Sequence, residues 1–271
     1  MSAEPLKKYR PWAVVTGVAR PEGIGYGYAR RLADHGFNLI LIDICADELH
    51  ERADELRSAH GVEAKAVVCD LGDPDFLELL RPQTDDIDVG LLIANHYISP
   101  EGSPSVLEMD LADHHRMLDV NARAYTTLVH HYGGRMAERG CGGIILTSSA
   151  AALLGAPYMG PYSANKAYQR NLAEALWSEM RPLGVDVLVV LPGAVDSQPE
   201  GALDHYPKWL VMEVDDLVSR ALGALGRKPV LIPGLANAAI GGIMVRLLPR
   251  AAALKLGARL SGGTRGARGD Q

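Results

Sequence analysis

Asn38-Leu-Ile-Leu-Ile-Asp43 is an unbroken apolar run closed at each end by a polar residue. A strand with one wet face alternates apolar and polar side chains, so a run that is apolar throughout predicts a parallel strand covered on both faces. Similar short runs recur at Trp12–Thr16, Ala64–Cys69, Val89–Ala94, Gly143–Thr147, Val185–Leu191 and, more briefly, Pro229–Ile232. Between them lie helical patterns, at Gly25–His35, Asp47–His60, Asp73 to about Leu80, Leu111 to about Glu138, Tyr162–Met180 and Asp215–Leu225. Strand and helix in alternation predict right-handed βαβ units. The expected fold class is therefore α/β, a doubly wound parallel sheet of about seven strands with helices on both faces.

No Pro/Ser-rich linker divides the chain, so we expect one domain over residues 12–235. It follows an N-terminal extension (1–11) and precedes a C-terminal amphipathic helix and disordered tail (236–271). A net charge of −6 argues against a general nucleic-acid binder. The odd number of cysteines (Cys45, Cys69, Cys141) without CxxC spacing fits reduced thiols in a cytoplasmic protein. Neither a signal-peptide core nor an uncharged apolar span long enough for a membrane helix is legible. His114-His115 and His130-His131 lack a carboxylate or cysteine set at metal-ligand spacing, so no metal is expected. No Gly-x-Ser-x-Gly elbow supports hydrolase chemistry.

The chemistry concentrates at the strand ends. Thr16-Gly-Val-Ala-Arg-Pro-Glu-Gly-Ile-Gly25 follows the first strand and opens a helix. Glycines there would let the backbone approach a pyrophosphate at a helix N-terminus. Asp43 closes the second strand, where a carboxylate accepts both adenosine ribose hydroxyls and repels a 2′-phosphate; this favours NAD over NADP. Arg20 pulls the other way, since an arginine pairs with such a phosphate. Asp70-Leu71 and Asn95 follow the third and fourth strands, and Pro192-Gly193, with Val195 and Ser197, follow the sixth. All lie at the edge of the sheet where a doubly wound fold binds ligands. Ser148 and Ser149 follow the fifth strand, and the period of two puts only one of them in the site. Tyr162 and Lys166 share a helix face at i and i+4, where the ammonium would favour a phenolate. Asn121 is a mediocre helix former inside a long helix.

This ordered set resembles the short-chain dehydrogenase/reductase family from roughly Trp12 to Ser197. It is carried by Thr16-Gly17, Gly23-Ile24-Gly25, Asp43, Asp70-Leu71, Asn95, Asn121, Ser149, Tyr162, Lys166 and Pro192-Gly193. The resemblance implies a Rossmann-type fold and the interconversion of an alcohol and a ketone by hydride transfer. Tyr162 would be the general acid/base, Lys166 would bind the nicotinamide ribose and lower the tyrosine pKa, Ser149 would bond the substrate oxygen, and Asn121 would hold a relay water. It also implies a homodimer or homotetramer that pairs the helices containing Asn121 and Tyr162.

Three departures from the family pattern stand out. Five residues, Val18 to Glu22, separate the first two glycines, where three are usual. The usual Asn-Asn-Ala-Gly reads Ala94-Asn-His-Tyr97, and this turn alone motivates a non-catalytic dinucleotide-binding scaffold or sensor; the intact Asn121, Ser149, Tyr162 and Lys166 argue against it. Asn165 replaces a common serine.

The tail, with Gly226-Arg-Lys-Pro-Val-Leu-Ile-Pro-Gly234 and Leu247-Leu-Pro249, is similar to the hydroxysteroid dehydrogenase and long-chain 3-oxoacyl reductase branch, which implies a small lipophilic alcohol or ketone as substrate. Tyr206, Trp209 and Leu210, in a lid at about 198–212, are expected to form an apolar pocket wall. After Ala236 the apolar chain carries Arg246, Arg250, Lys255 and Arg259. Such a helix would serve as a lid or oligomer contact, or touch an anionic membrane peripherally.

Overall fold

The computed structural model describes residues 4–99, 105–155, 158–197, 203, 206–242 and 248–255. Seven parallel strands form one sheet: β1 (Trp12–Thr16), β2 (Asn38–Asp43), β3 (Ala64–Val68), β4 (Val89–Ala94), β5 (Gly142–Thr147), β6 (Val185–Val190) and β7 (Val230–Leu231). Their order is β3-β2-β1-β4-β5-β6-β7. The chain builds outward from β1 in one direction, then crosses back to β4 and builds in the other. The reversal leaves a crevice between the carboxyl ends of β1 and β4, the place where such sheets bind ligands.

The crossovers are α1 (Ile24–Asp34), α2 (Ala46–His60), α3 (Phe76–Thr84), α4 (Leu111–Leu118), α5 (Ala124–Leu128), α6 (Gly134–Arg139), α7 (Gly160–Met180) and α8 (Val214–Ala224), and α9 (Leu235–Gly242) follows β7. Helices α4, α5 and α6 run on as one rod, joined by π-helical turns at Asp119–Arg123 and Val129–Gly133. The strand period sorts the apolar side chains into two layers. Ala13, Val15, Leu39 and Leu41 pack on α1, α2 and α8, whereas Val14, Ile40, Ile42 and Leu92 pack under the long rod and α7.

Several expected boundaries move. The helix expected from Asp73 begins at Phe76, because Asp73 first makes a turn: its N–H donates to the Asp70 carbonyl and its carboxylate accepts the Asp75 N–H. Aspartate offers the backbone that local alternative. The same helix then continues past Leu80 to Thr84, through Pro82. β7 is only two residues long. Within the N-terminal extension, Glu4–Tyr9 forms a 3₁₀ helix that buries Leu6 and Tyr9, and the Tyr9 hydroxyl donates to Asp186 at 2.7 Å.

Residues 198–202, 204 and 205 of the expected lid and the tail Gly262–Gln271 lie outside the described residues. In the C-terminal part, residues 250–255 are helical, Ala253 is fully buried and Arg250 donates to the Leu153 carbonyl at 3.3 Å. A cavity of about 660 Å³ separates this segment from Ala151, Gly160 and Ala164. No helix among the described residues is long and apolar enough to cross a membrane.

Candidate active site

Thr16, the last residue of β1, is fully buried and ties the two sides of the crevice together. Its hydroxyl accepts the N–H of Asn95 at 3.0 Å and of His96 at 3.3 Å, and meets His96 Nδ1 at 2.7 Å. His96 Nε2 lies 3.1 Å from the Val120 carbonyl, which only accepts, so Nε2 carries the proton and Nδ1 accepts from Thr16. Burial, then the Lys166 charge, pushes the His96 pKa down to about 3, so the ring is neutral. The Tyr125 ring packs 4.4 Å from it. His96, which the sequence marks only as added bulk, is a structural wedge joining β1, β4 and the Asp119–Arg123 turn.

Gly17 has φ +72° and a side chain there would meet the His96 backbone at 2.9 Å. A side chain on Gly25 would overlap the Gly17 carbonyl oxygen. Gly17 thus needs glycine for both its left-handed conformation and its close approach to His96, and Gly25 for steric reasons alone. The two extra loop residues are absorbed in an exposed turn, where Gly23 N–H donates to the Arg20 carbonyl at 2.9 Å. Arg20 itself is exposed, and Ile24 opens α1. Asp43 clasps this loop: one carboxylate oxygen accepts from Ala19 N–H at 3.0 Å and the other from Ile44 and Cys45. A carboxylate has about four acceptor positions, so capacity remains for a ribose hydroxyl. Asn95 also reaches across to the Gly17 carbonyl at 3.4 Å. The close-approach glycines, the N-terminus of α1 and the strand-end carboxylate together fit a dinucleotide.

Asp70 accepts the Gly72 N–H and two bonds from Arg116 at 2.6 and 2.7 Å. Burial opposes its charge, but Arg116 and Gly72 outweigh that and hold the carboxyl below its ordinary value. Leu71 beside it is buried. Pro192 accepts the Ala150 N–H at 2.8 Å, a side chain on Gly193 would press on Asn237, and Val195 is buried and bridges to Met212.

Helix α7 starts with Pro161 in its first turn, a position suited to proline, just after Tyr158 adopts φ 62°. Its first two turns carry Tyr162 and Lys166 toward the end of β5. Of the two serines, Ser149 lies near enough to Tyr162 to favour its phenolate and caps the following turn by accepting the Ala151 N–H at 3.1 Å, while Ser148 points inward and donates to the Lys166 carbonyl at 2.7 Å. Lys166 is only 2% exposed, and its Nζ donates to the Thr147 carbonyl at 3.0 Å. Burial lowers its pKa to about 7. Burial raises Tyr162 to about 12, against the opposing pull of Ser149, with Tyr97 and Tyr206 adding to the rise. Desolvation thus sets the direction of both shifts, disfavouring the phenolate and the ammonium alike.

Asn121 is fully buried in the first π-helical turn. Its side-chain oxygen accepts the Ile98 N–H at 2.9 Å and its amide donates to the Ile98 carbonyl at 2.7 Å. Tyr206 couples to Tyr162, but Trp209 is 69% exposed and does not line a closed wall. The sequence reading missed Thr16 as a hub, Arg116, Thr147 and Gln169. Only Gln169 left a readable signal, since it continues the Tyr162–Lys166 stripe at i+7.

A glycine turn at the switch point of a parallel sheet, with a hydroxyl–phenol–ammonium group on the far side of β4, defines a dinucleotide-dependent oxidoreductase. The comparisons agree. The short chain dehydrogenase family pattern matches residues 11–206. The chain is 26% identical to 7beta-hydroxysteroid dehydrogenase of Collinsella aerofaciens, over 85% of this chain and 89% of that one. It is 32% identical to the human inactive hydroxysteroid dehydrogenase-like protein 1, over 83% and 68%. Among solved structures, a short-chain dehydrogenase from Sphingobium yanoikuyae in complex with NADPH is 29% identical, covers 97% of this chain and 96% of that one, and superposes with a TM-score of 0.73. The chain belongs to the short-chain dehydrogenase/reductase family, as an NAD(P)-dependent alcohol dehydrogenase or ketoreductase.

Proposed function

We propose that this protein is an NAD(H)-dependent oxidoreductase that interconverts a lipophilic secondary alcohol and its ketone. The observation that carries the reading is the convergence of Ser149, Tyr162 and buried Lys166 at the carboxyl end of β5, with only β4 between them and the glycine cradle. A bound nicotinamide supplies the hydride acceptor or donor. Ser149 and Tyr162 hold the substrate oxygen, and Tyr162 takes or returns its proton. Lys166 binds the nicotinamide ribose, and Asn121 anchors the inner end of the proton path. Gly17, Gly23, Ile24 and Gly25 bind the pyrophosphate, Asp70, Leu71 and Asn95 line the adenosine and ribose side, and Pro192, Gly193 and Val195 line the nicotinamide. Tyr206 is the lid residue nearest the chemistry.

Asp43 is the reason for preferring NAD, since a fixed carboxylate repels a 2′-phosphate. Exposed Arg20 and the NADPH complex of the Sphingobium relative favour the second reading, an NADPH-dependent ketone or 3-oxoacyl reductase. The names of the hydroxysteroid relatives support a bulky apolar substrate. A homodimer or homotetramer in the cytoplasm completes the proposal.

Parallel titrations with NADH and NADPH, followed by nicotinamide fluorescence, test it. NADH is expected to bind at least tenfold more tightly, and Asp43→Ala to erase that margin, worth about 1.4 kcal/mol per tenfold. Tighter NADPH binding transfers selection to Arg20. Binding of neither overturns the reading.

A further inference from the structure

Tyr162, Lys166 and Gln169 stand at i, i+4 and i+7 of α7, so one helix face carries all three. Gln169 is fully buried. Its Nε2 donates to the main-chain carbonyl of Asn121 at 2.8 Å. A carbonyl only accepts, which fixes the amide: the nitrogen faces Asn121 and Oε1 points away. That Oε1 is buried and has no hydrogen-bond partner among the described residues. An orphaned buried acceptor costs about 1–3 kcal/mol, and a buried water is the common way to satisfy one. A merely packing position would hold an apolar side chain at no such cost. The carbonyl that Gln169 grips lies in the π-helical turn Asp119–Arg123, and the Asn121 side chain is already committed at both ends to Ile98. The main chain of Asn121 is thus what it presents to α7.

Resting on the oxidoreductase reading above, we propose that Gln169 is a positioning residue for proton transfer. It holds the Asn121 carbonyl and, through Oε1, one buried water at the inner end of the Tyr162–Lys166 stripe. In the oxidation direction the alcohol O–H proton passes to Tyr162 and leaves along this stripe; in reduction the same proton travels back.

Two variants and one structural measurement test this. Gln169→Leu keeps the volume and removes both polar atoms. It should lower kcat about tenfold or more, leave both KM values within about twofold, and enlarge the solvent deuterium isotope effect. Gln169→Glu places a buried carboxyl there, which donates and accepts like the amide only while protonated. Its turnover should approach wild type at low pH and fall as the carboxyl ionises, a pH profile that lost packing would not produce. A crystal structure at high resolution should show water within hydrogen-bond distance of Gln169 Oε1. Wild-type kcat and isotope effect in a folded Gln169→Leu enzyme would overturn the proposal, as would a Gln169→Glu profile matching wild type or a dry Oε1. If Tyr162→Phe, run alongside, keeps full turnover, it is the catalytic reading that fails, and the water at Oε1 is judged by the crystal structure alone.

Discussion

Tyr97 stands over Lys166, with its ring centroid 5.1 Å from Nζ. The same ring meets Tyr162 edge-on at 6.2 Å. The family pattern has a glycine at this place, so this chain adds an aromatic surface between its two titrating groups. It is 43% exposed and borders the open side of the site. A cation over a tyrosine face is stabilised by about 0.5–2 kcal/mol, which opposes the burial that depresses Lys166. Tyr97→Ala should therefore lower the Lys166 pKa further below about 7, and Tyr97→Phe should leave it in place. The pH dependence of cofactor affinity checks this: in the alanine variant, affinity should decline at a lower pH than in wild type.

Lys166 also sets a stability prediction. Its folded pKa of about 7 lies below the ordinary 10.5. Between those values the unfolded chain binds more protons than the folded one, so stability due to this group rises with pH across that window. Below about pH 7 the folded protein carries the full desolvation penalty, on the order of a few kcal/mol. Lys166→Met should raise resistance to urea at pH 6 and show a smaller gain, or none, near pH 10, while activity is lost. Equal effects at both pH values would contradict a buried, depressed amine.

Gly25 and Gly61 separate steric from conformational need. A side chain at Gly25 would overlap the Gly17 carbonyl, and backbone does not move aside cheaply. Gly25→Ala should cost about 3 kcal/mol and eliminate cofactor binding. Gly61 has φ +66° at the end of α2 and open space around it. Gly61→Ala should cost only about 1–2 kcal/mol, from the left-handed conformation alone, and spare cofactor affinity. Urea unfolding with NADH titration measures both.

The strands were legible because strands covered on both faces demand apolar side chains throughout, as in Asn38–Asp43. Tyr162, Lys166 and Ser149 were legible from helix and strand periods joined to the family spacing. The two π-helical turns were not: one extra residue per turn leaves the apolar pattern of residues 111–139 nearly unchanged, although it decides how Asn121 meets Ile98 and Gln169. The start of α3 was missed because the carboxylate of Asp73 competes for backbone donors. Spacing gives the proximity of Tyr162 and Lys166, whereas their burial, which pushes the phenol up and the ammonium down, depends on β5 and the loop carrying Tyr97 and is not legible from spacing.

The central claim is that Tyr162 moves the proton that accompanies hydride transfer. Tyr162→Phe removes one hydroxyl from a half-buried ring and leaves the glycine cradle, Asp43 and Lys166 in place. Steady-state turnover of a lipophilic secondary alcohol should fall by about 10²-fold or more, with NADH affinity by fluorescence titration within about threefold of wild type. Retention of full turnover by a folded Tyr162→Phe protein would contradict the account.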